Sequence, residues 1–156
     1  MTKRQHDLLH LLSRAERASA RRLQSVLGGF DCSLEAWRVL DLLTDGQGHT
    51  MTALAEHAFL PAPTLTKLVD QLVDRNLVYR RADPADRRRV LVALTPRGVD
   101  HGRQVSSAVR ADRARWAASL SEADEADLAD LLHRLTEALG DAVTVGAAVR
   151  EAGRAR

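Results

Sequence analysis

The ten residues Asp86-Arg87-Arg88-Arg89-Val90-Leu91-Val92-Ala93-Leu94-Thr95 decide the fold. Three successive arginines behind an aspartate belong in solvent. Val90–Leu94, in contrast, is a short run of the residues that favour a strand. A second β-prone run, Leu77-Val78-Tyr79-Arg80-Arg81, lies just upstream. Between the two is Ala82-Asp83-Pro84-Ala85 and the Asp-Arg tract, a polar loop rich in turn formers. The pattern predicts a β-hairpin with a basic tip.

Working outward, the period changes to that of helices. Leu65, Leu68, Val69, Leu72 and Val73 stand at i, i+3, i+4, i+7 and i+8, which predicts a helix over about 62–75. Pro61 and Pro63 sit at its start, where N–H groups lack helical partners anyway. A shorter helix is expected over roughly 51–58, with Thr50 as N-cap and Leu54, Ala55 and Ala58 as its buried face. Phe59-Leu60-Pro61 leaves room only for a tight turn, so the two helices make a helix-turn-helix directly ahead of the hairpin.

Helices flank this unit on both sides. Leu8, Leu12, Ala15, Leu23, Val26 and Leu27 mark a first amphipathic helix, stopped by Gly28-Gly29. Ser33 caps a second, carrying Leu34, Trp37, Leu40 and Leu43 and ended by Asp45-Gly46-Gln47-Gly48. Thr95-Pro96 opens a long helix with Val99, Val105, Val109, Trp116 and Leu120. Ser121-Glu122-Ala123-Asp124 fits a capping box for the last, which carries Leu128, Leu131, Leu132, Leu135, Leu139 and Val143. After about residue 145 the Ala, Gly and Arg composition predicts fraying. The fold class is mostly α with a small β-wing. One domain spans 1–156: a winged helix-turn-helix over 33–95, a helical lobe from 1–30 and 96–146, and a frayed tail at 147–156.

Composition narrows the function. The chain has 156 residues, 45% of them apolar, enough for one packed core. The 23 basic and 21 acidic residues leave a net charge of only +2, which excludes a polycationic tail. Lysine occurs only at Lys3 and Lys67, so 21 of the 23 cations are arginine, the residue that forks onto phosphates and base edges. Aromatics at 3% argue against a base-stacking sheet. The single cysteine, Cys32, excludes an intrachain disulfide and a CxxC zinc ribbon. No apolar run approaches the ~18 residues of a membrane span. The first 14 residues are too broken by charges for a secretory leader. A reduced, cytoplasmic protein without membrane contact is expected.

The Asp86–Thr95 stretch matches the D-x-R-x5-L-T wing pattern of the MarR family of transcription regulators. Leu54-Ala55-Glu56 resembles that family's first helix-turn-helix segment, and Thr64 through Leu72 its recognition helix. Asn76-Leu77-Val78-Tyr79-Arg80 resembles the approach to its wing, although the family usually has glycine where Asn76 stands. The resemblance implies a homodimeric winged-helix protein that binds double-stranded DNA. Helix 1 and the two C-terminal helices would then form a dimerisation lobe, and two winged units would face successive major grooves of a pseudo-palindrome. It also implies a repressor released by a small-molecule effector or by oxidants. The effector would lodge between the dimerisation lobe and the winged unit, which makes Trp37 and Arg38 candidate pocket residues. The family motif further implies that Asp86 pairs with Arg88 and fixes its direction.

Charge placement supports a nucleic-acid face. Residues 75–97 hold seven arginines against two aspartates, a local +5, whereas 121–145 hold seven acids and one arginine. Arginine at a hairpin tip suits the narrow minor groove, so Arg87, Arg88 and Arg89 are candidate DNA contacts. The leading residues of the recognition helix, Ala62, Pro63, Thr64, Thr66 and Lys67, include no Arg, Asn or Gln for bidentate base contacts. Gln71, one turn beyond Lys67, could reach a base, and Thr50 joins the candidate set. Specificity is therefore expected to come largely from the wing, DNA shape and half-site spacing. An architectural DNA binder with little sequence preference is the alternative.

Other chemistries are weaker. No nucleophile–base set or Gly-rich phosphate loop is present, so no catalytic role and no cofactor are expected. His6 and His10 are four apart but lack a third ligand, so no metal site is expected. Cys32 has no nearby His or Lys in sequence, and Asp31 and Glu35 would raise its pKa, so it reads as a packing residue.

Overall fold

The computed structural model describes the backbone of residues 2–152 and the side chains of residues 7–140. The side chains of His6 and Val143, and residues 153–156 at the end of the expected tail, lie outside those bounds. Among the described residues six α-helices form: α1 (Thr2–Gly28), α2 (Leu34–Leu42), α3 (Met51–Ala58), α4 (Ala62–Asp74), α5 (Pro96–Ala117) and α6 (Glu122–Ala152). Three strands, β1 (His49–Thr50), β2 (Val78–Ala82) and β3 (Val90–Leu94), make an antiparallel sheet in the order β1-β3-β2. Two compact units result, one running from α1 to Asp112 of α5, the other beginning at Arg113. No helix among the described residues is long and apolar enough to cross a membrane.

The first unit is built on the helical stripes of α2, α3 and α4. Val39, Leu40, Leu54, Leu65, Val69 and Leu72 are all at most 2% exposed, with Leu27 of α1 and Val105 of α5 in the same core. Side-chain caps start two of these helices. Ala36 N–H donates to Ser33 Oγ at 3.0 Å, and Ala53 N–H to Thr50 Oγ1 at 3.2 Å. The chain leaves α1 at Gly28 as predicted, but the left-handed turn residue is Asp31 (φ 49°) rather than either glycine.

The hairpin pairs Val78 with Leu94 and Ala82 with Val90. Its first strand therefore starts one residue later than the β-prone run suggests. The chain turns into it at Asn76, whose φ of 55° is a left-handed conformation that Asn tolerates better than most residues. β1, which pairs His49 with Val92 and Thr50 with Leu91, is too short to show any alternation in sequence.

Gly98 locks the wing to α5. A Cβ there would stand 1.9 Å from the Leu77 carbonyl oxygen. The same junction is stitched by Thr95, whose hydroxyl donates to the Asn76 carbonyl at 2.6 Å and accepts from Gly98 N–H at 2.9 Å.

In the second unit, Ser121 and Asp124 form the expected capping box, with Asp124 N–H donating to Ser121 Oγ at 3.1 Å. The backbone of α6 stays helical to Ala152, beyond residue 145 where the sequence predicts fraying.

Candidate nucleic-acid interface

The start of α4 is set by proline. Pro61 is the N-cap in extended conformation, and Pro63 sits within the first turn, where no N–H is needed. Leu65, Val69 and Leu72 turn inward, leaving Ala62, Pro63, Thr64, Thr66, Lys67 and Gln71 exposed. Thr66 Oγ1 donates to the Ala62 carbonyl at 2.9 Å, which uses its hydroxyl hydrogen within α4 and leaves the oxygen able to accept. Ala62 and Thr66 line a groove shared with α3. Gln71 instead lines a second groove, together with Asp31, Cys32 and Arg75. The structure thus separates Gln71 from the leading residues with which the sequence groups it.

The wing tip is a tight polar turn. Asp83 N–H donates to the Arg89 carbonyl and Arg89 N–H to the Asp86 carbonyl, both at 2.9 Å. Asp83 Oδ1 accepts from Ala85 N–H at 2.8 Å. Asp86 Oδ1 accepts from the backbone N–H of Arg88 at 3.0 Å. This corrects the expected Asp86–Arg88 ion pair. An aspartate two residues ahead of an N–H closes an Asx turn, and that geometry takes the carboxylate to the backbone instead of the guanidinium. Among the described residues, the side chains of Arg87, Arg88 and Arg89 have no ion-pair or hydrogen-bond partner.

Three of the other four arginines of the basic stretch have partners. Arg80 of β2 pairs with Asp70 of α4 at 2.6 Å. Arg81 donates to the Gln47 carbonyl at 2.8 Å, and Arg75 meets Asp31 at 3.6 Å. Charge counting treats these seven cations alike, whereas the fold spends three on itself and holds three free at one tip. The Arg80 pair also cancels an acid that would otherwise stand on the exposed side of α4.

Thr50 joins the wing to the helix-turn-helix. Its oxygen caps α3, its backbone pairs with Leu91, and with Arg89 it lines a third groove that also takes in Thr52 and Glu56. Nothing in the local pattern brings Thr52 or Glu56 to the wing. Their link to the wing exists only because β1 pairs with β3.

Trp37 and Arg38 diverge. Trp37 is half-buried, and its indole Nε1 is buried without a hydrogen-bond partner. Arg38 points to the α3–α4 turn, its guanidinium carbon 5.2 Å from the Phe59 ring centre and Nη1 3.5 Å from the Ala58 carbonyl. Neither lines any of the three grooves described above. Cys32 is buried, and that burial pushes its thiol up to about 11 despite the Arg75 charge nearby. A thiol so protonated at neutral pH is a poor nucleophile, in keeping with a packing role.

Comparison with known proteins places this geometry. A family profile described as MarR family matches residues 30–89. A candidate transcriptional regulatory protein for the hcr operon of Thauera aromatica is 32% identical over 97 residues, 62% of this chain and 58% of that protein. The match thus spans less than two thirds of that relative. CouR from Rhodococcus jostii RHA1, solved bound to p-coumaroyl-CoA, has a TM-score of 0.78 at 26% identity, covering 83% of this chain and 91% of that one. A mutant MarR from E. coli, complexed with operator DNA, has a TM-score of 0.72 at 25% identity, covering 83% and 93%. Residues 30–89 thus match the MarR family, and the fold is that of MarR-family winged helix-turn-helix structures.

Proposed function

We propose that this chain is a DNA-binding transcription repressor that acts as a homodimer on a pseudo-palindromic operator and is released by a small ligand or stress signal. The observation that carries the reading is the free arginine triplet at the wing tip, beside a helix whose leading side chains are exposed. A rigid turn presenting unpaired guanidinium groups suits the minor groove, where negative potential is focused. The start of α4 suits the major groove, with Ala62, Pro63 and the threonine methyls against thymine methyls and Lys67 on a phosphate or base edge. Thr50 would offer its hydroxyl hydrogen to a phosphate. Dimerisation is supported by uncovered leucines: Leu8, Leu9 and Leu11 on α1, and Leu128, Leu131, Leu132 and Leu139 on α6, are all at least 42% exposed.

The test is selection of a duplex from a randomised pool, followed by affinity for that duplex, a scrambled one, and one with half a helical turn inserted between its half-sites. Dimer-fixed half-sites about one turn (~10 base pairs) apart predict loss with both alterations. If roughly six to ten phosphates are neutralised, affinity for the selected duplex falls about 10³–10⁵-fold between 50 and 200 mM salt. The lack of bidentate side chains at the start of α4 favours a second reading, an architectural binder. Equal affinity for all three duplexes would establish that one. Loss on scrambling but not on insertion would mean that a single winged unit reads DNA alone.

The ligand arm of the proposal rests on Trp37 and Arg38. A planar acid could accept the unpartnered indole N–H, and it could draw Arg38 away from Phe59. Quenching of Trp37 fluorescence by hydroxylated aromatic acids, read in a Trp116→Phe variant, with loss of the selected duplex at the same concentrations, is the expected result.

A further inference from the structure

Phe59 stands where its own backbone would prefer glycine. It follows α3 as the left-handed C-cap residue, with φ 57° and ψ 43°. L-residues other than Gly, Asn and Asp avoid that region, and a bulky aromatic there is a marked outlier. The ring does not repay this by packing, because Phe59 is 80% exposed, more than any other large apolar residue among those described. Folding therefore gains little from the side chain. What the structure does provide is a support for the ring, the Arg38 guanidinium 5.2 Å from its centre, itself held toward the Ala58 carbonyl at 3.5 Å.

The position of the ring says what it is for. Phe59 borders a groove of about 390 Å³ together with Thr52 and Glu56 of α3 and Ala62 and Thr66 of α4. Ala62 and Thr66 are leading residues of the helix proposed to enter the major groove. We propose that Phe59 is a DNA-contacting residue, packing its ring on the deoxyribose and thymine-methyl edge where α4 enters the groove, and that Arg38 is its positioning residue. The contact is apolar and uncharged, so it adds affinity without counterion release. It also supplies an anchor just ahead of α4, a helix whose start is short of bidentate side chains. This inference rests on the DNA-binding reading above.

The test uses the full chain and the duplex recovered by selection. Phe59→Gly should leave the melting temperature unchanged or raise it by a few degrees, because glycine relieves the left-handed strain. It should weaken duplex binding by about tenfold, with an unaltered salt slope. Phe59→Asn, which tolerates the same backbone, should lose as much, and Phe59→Tyr should bind like the wild type. Arg38→Ala should weaken binding about threefold in the wild type and not at all in the Phe59→Gly background, the non-additivity expected of a residue acting through another. Phe59→Gly binding as tightly as the wild type would overturn the inference while leaving the DNA-binding reading intact. A lower melting temperature on Phe59→Gly would overturn it too, by making Phe59 a folding residue. A wild-type chain that binds no duplex would overturn both.

Discussion

The winged unit and the C-terminal helix treat the same two residue types in opposite ways. In α4, Leu65, Val69 and Leu72 are at most 1% exposed. In α6, Leu128, Leu131, Leu132 and Leu139 form an equally regular stripe and stay 42–59% exposed. Charges run the other way. The wing leaves three arginines unpaired, while α6 opens with Glu122, Asp124 and Glu125, where acids complement the helix dipole. Periodicity states only that a stripe must be covered. In α4 the cover comes from the chain itself; in α6 a second copy is the proposed cover.

The largest way to break the contrast is at the wing–α5 junction. Gly98→Ala would drive a methyl group into the Leu77 carbonyl, backbone against backbone, with no flexible side chain to yield. We expect a loss of roughly 3 kcal/mol or more, the upper end of overpacking, read as a fall in the urea midpoint. A midpoint like that of the wild type would mean that α5 can slide off the wing at little cost.

Next come the two leucine stripes. Leu65→Ala, at a site 1% exposed, should cost about 2–5 kcal/mol at every protein concentration. Leu139→Arg, at a site 59% exposed, should act only through assembly. Its effect should grow as the protein is diluted, and sedimentation should show monomers where the wild type is dimeric. A Leu139→Arg protein that sediments as a dimer would show that the α6 stripe is covered by something other than a second copy.

Much of this was legible in the sequence, and the reasons differ by region. The stripe of α4, the caps at Ser33, Thr50 and Ser121, and the hairpin all rest on local rules that the fold obeys. The fates of the arginines were not legible. Arg80 meets Asp70 across ten residues and Arg81 meets Gln47 across 34, and no local pattern foretells such pairings. β1 was hidden for the same reason, being two residues long and defined only by its partner strand. Phe59 escaped because a tight turn was inferred from chain length alone. The signal was there in principle: a bulky residue directly after a helix, in the place that favours glycine.

The arginine side of the comparison gives smaller effects. Arg88→Ala should weaken binding to the selected duplex by about 1–3 kcal/mol, more than Lys67→Ala, because a fixed turn presents Arg88 while Lys67 is one flexible cation. Both should lower the salt slope by about one counterion. If Lys67→Ala proves the costlier, the start of α4 carries the affinity and the wing is secondary.

Asp86 gives the smallest effect, and it decides how the wing works. Its carboxylate accepts from Arg88 N–H, a contact that an Asn side chain can reproduce through its own oxygen. Asp86→Asn should therefore keep the turn and remove a negative charge from the tip proposed to contact DNA, so binding should equal or exceed that of the wild type. Asp86→Ala also removes the charge but loses the Asx turn, and its affinity should fall by about 0.5–1 kcal/mol, the worth of one exposed hydrogen bond. The two variants have the same charge, so any difference between them measures the turn alone. If Asn were as harmful as Ala, Asp86 would act through its charge on an arginine side chain. If both bound more tightly than the wild type, the turn would be dispensable and the tip would act by simple electrostatics.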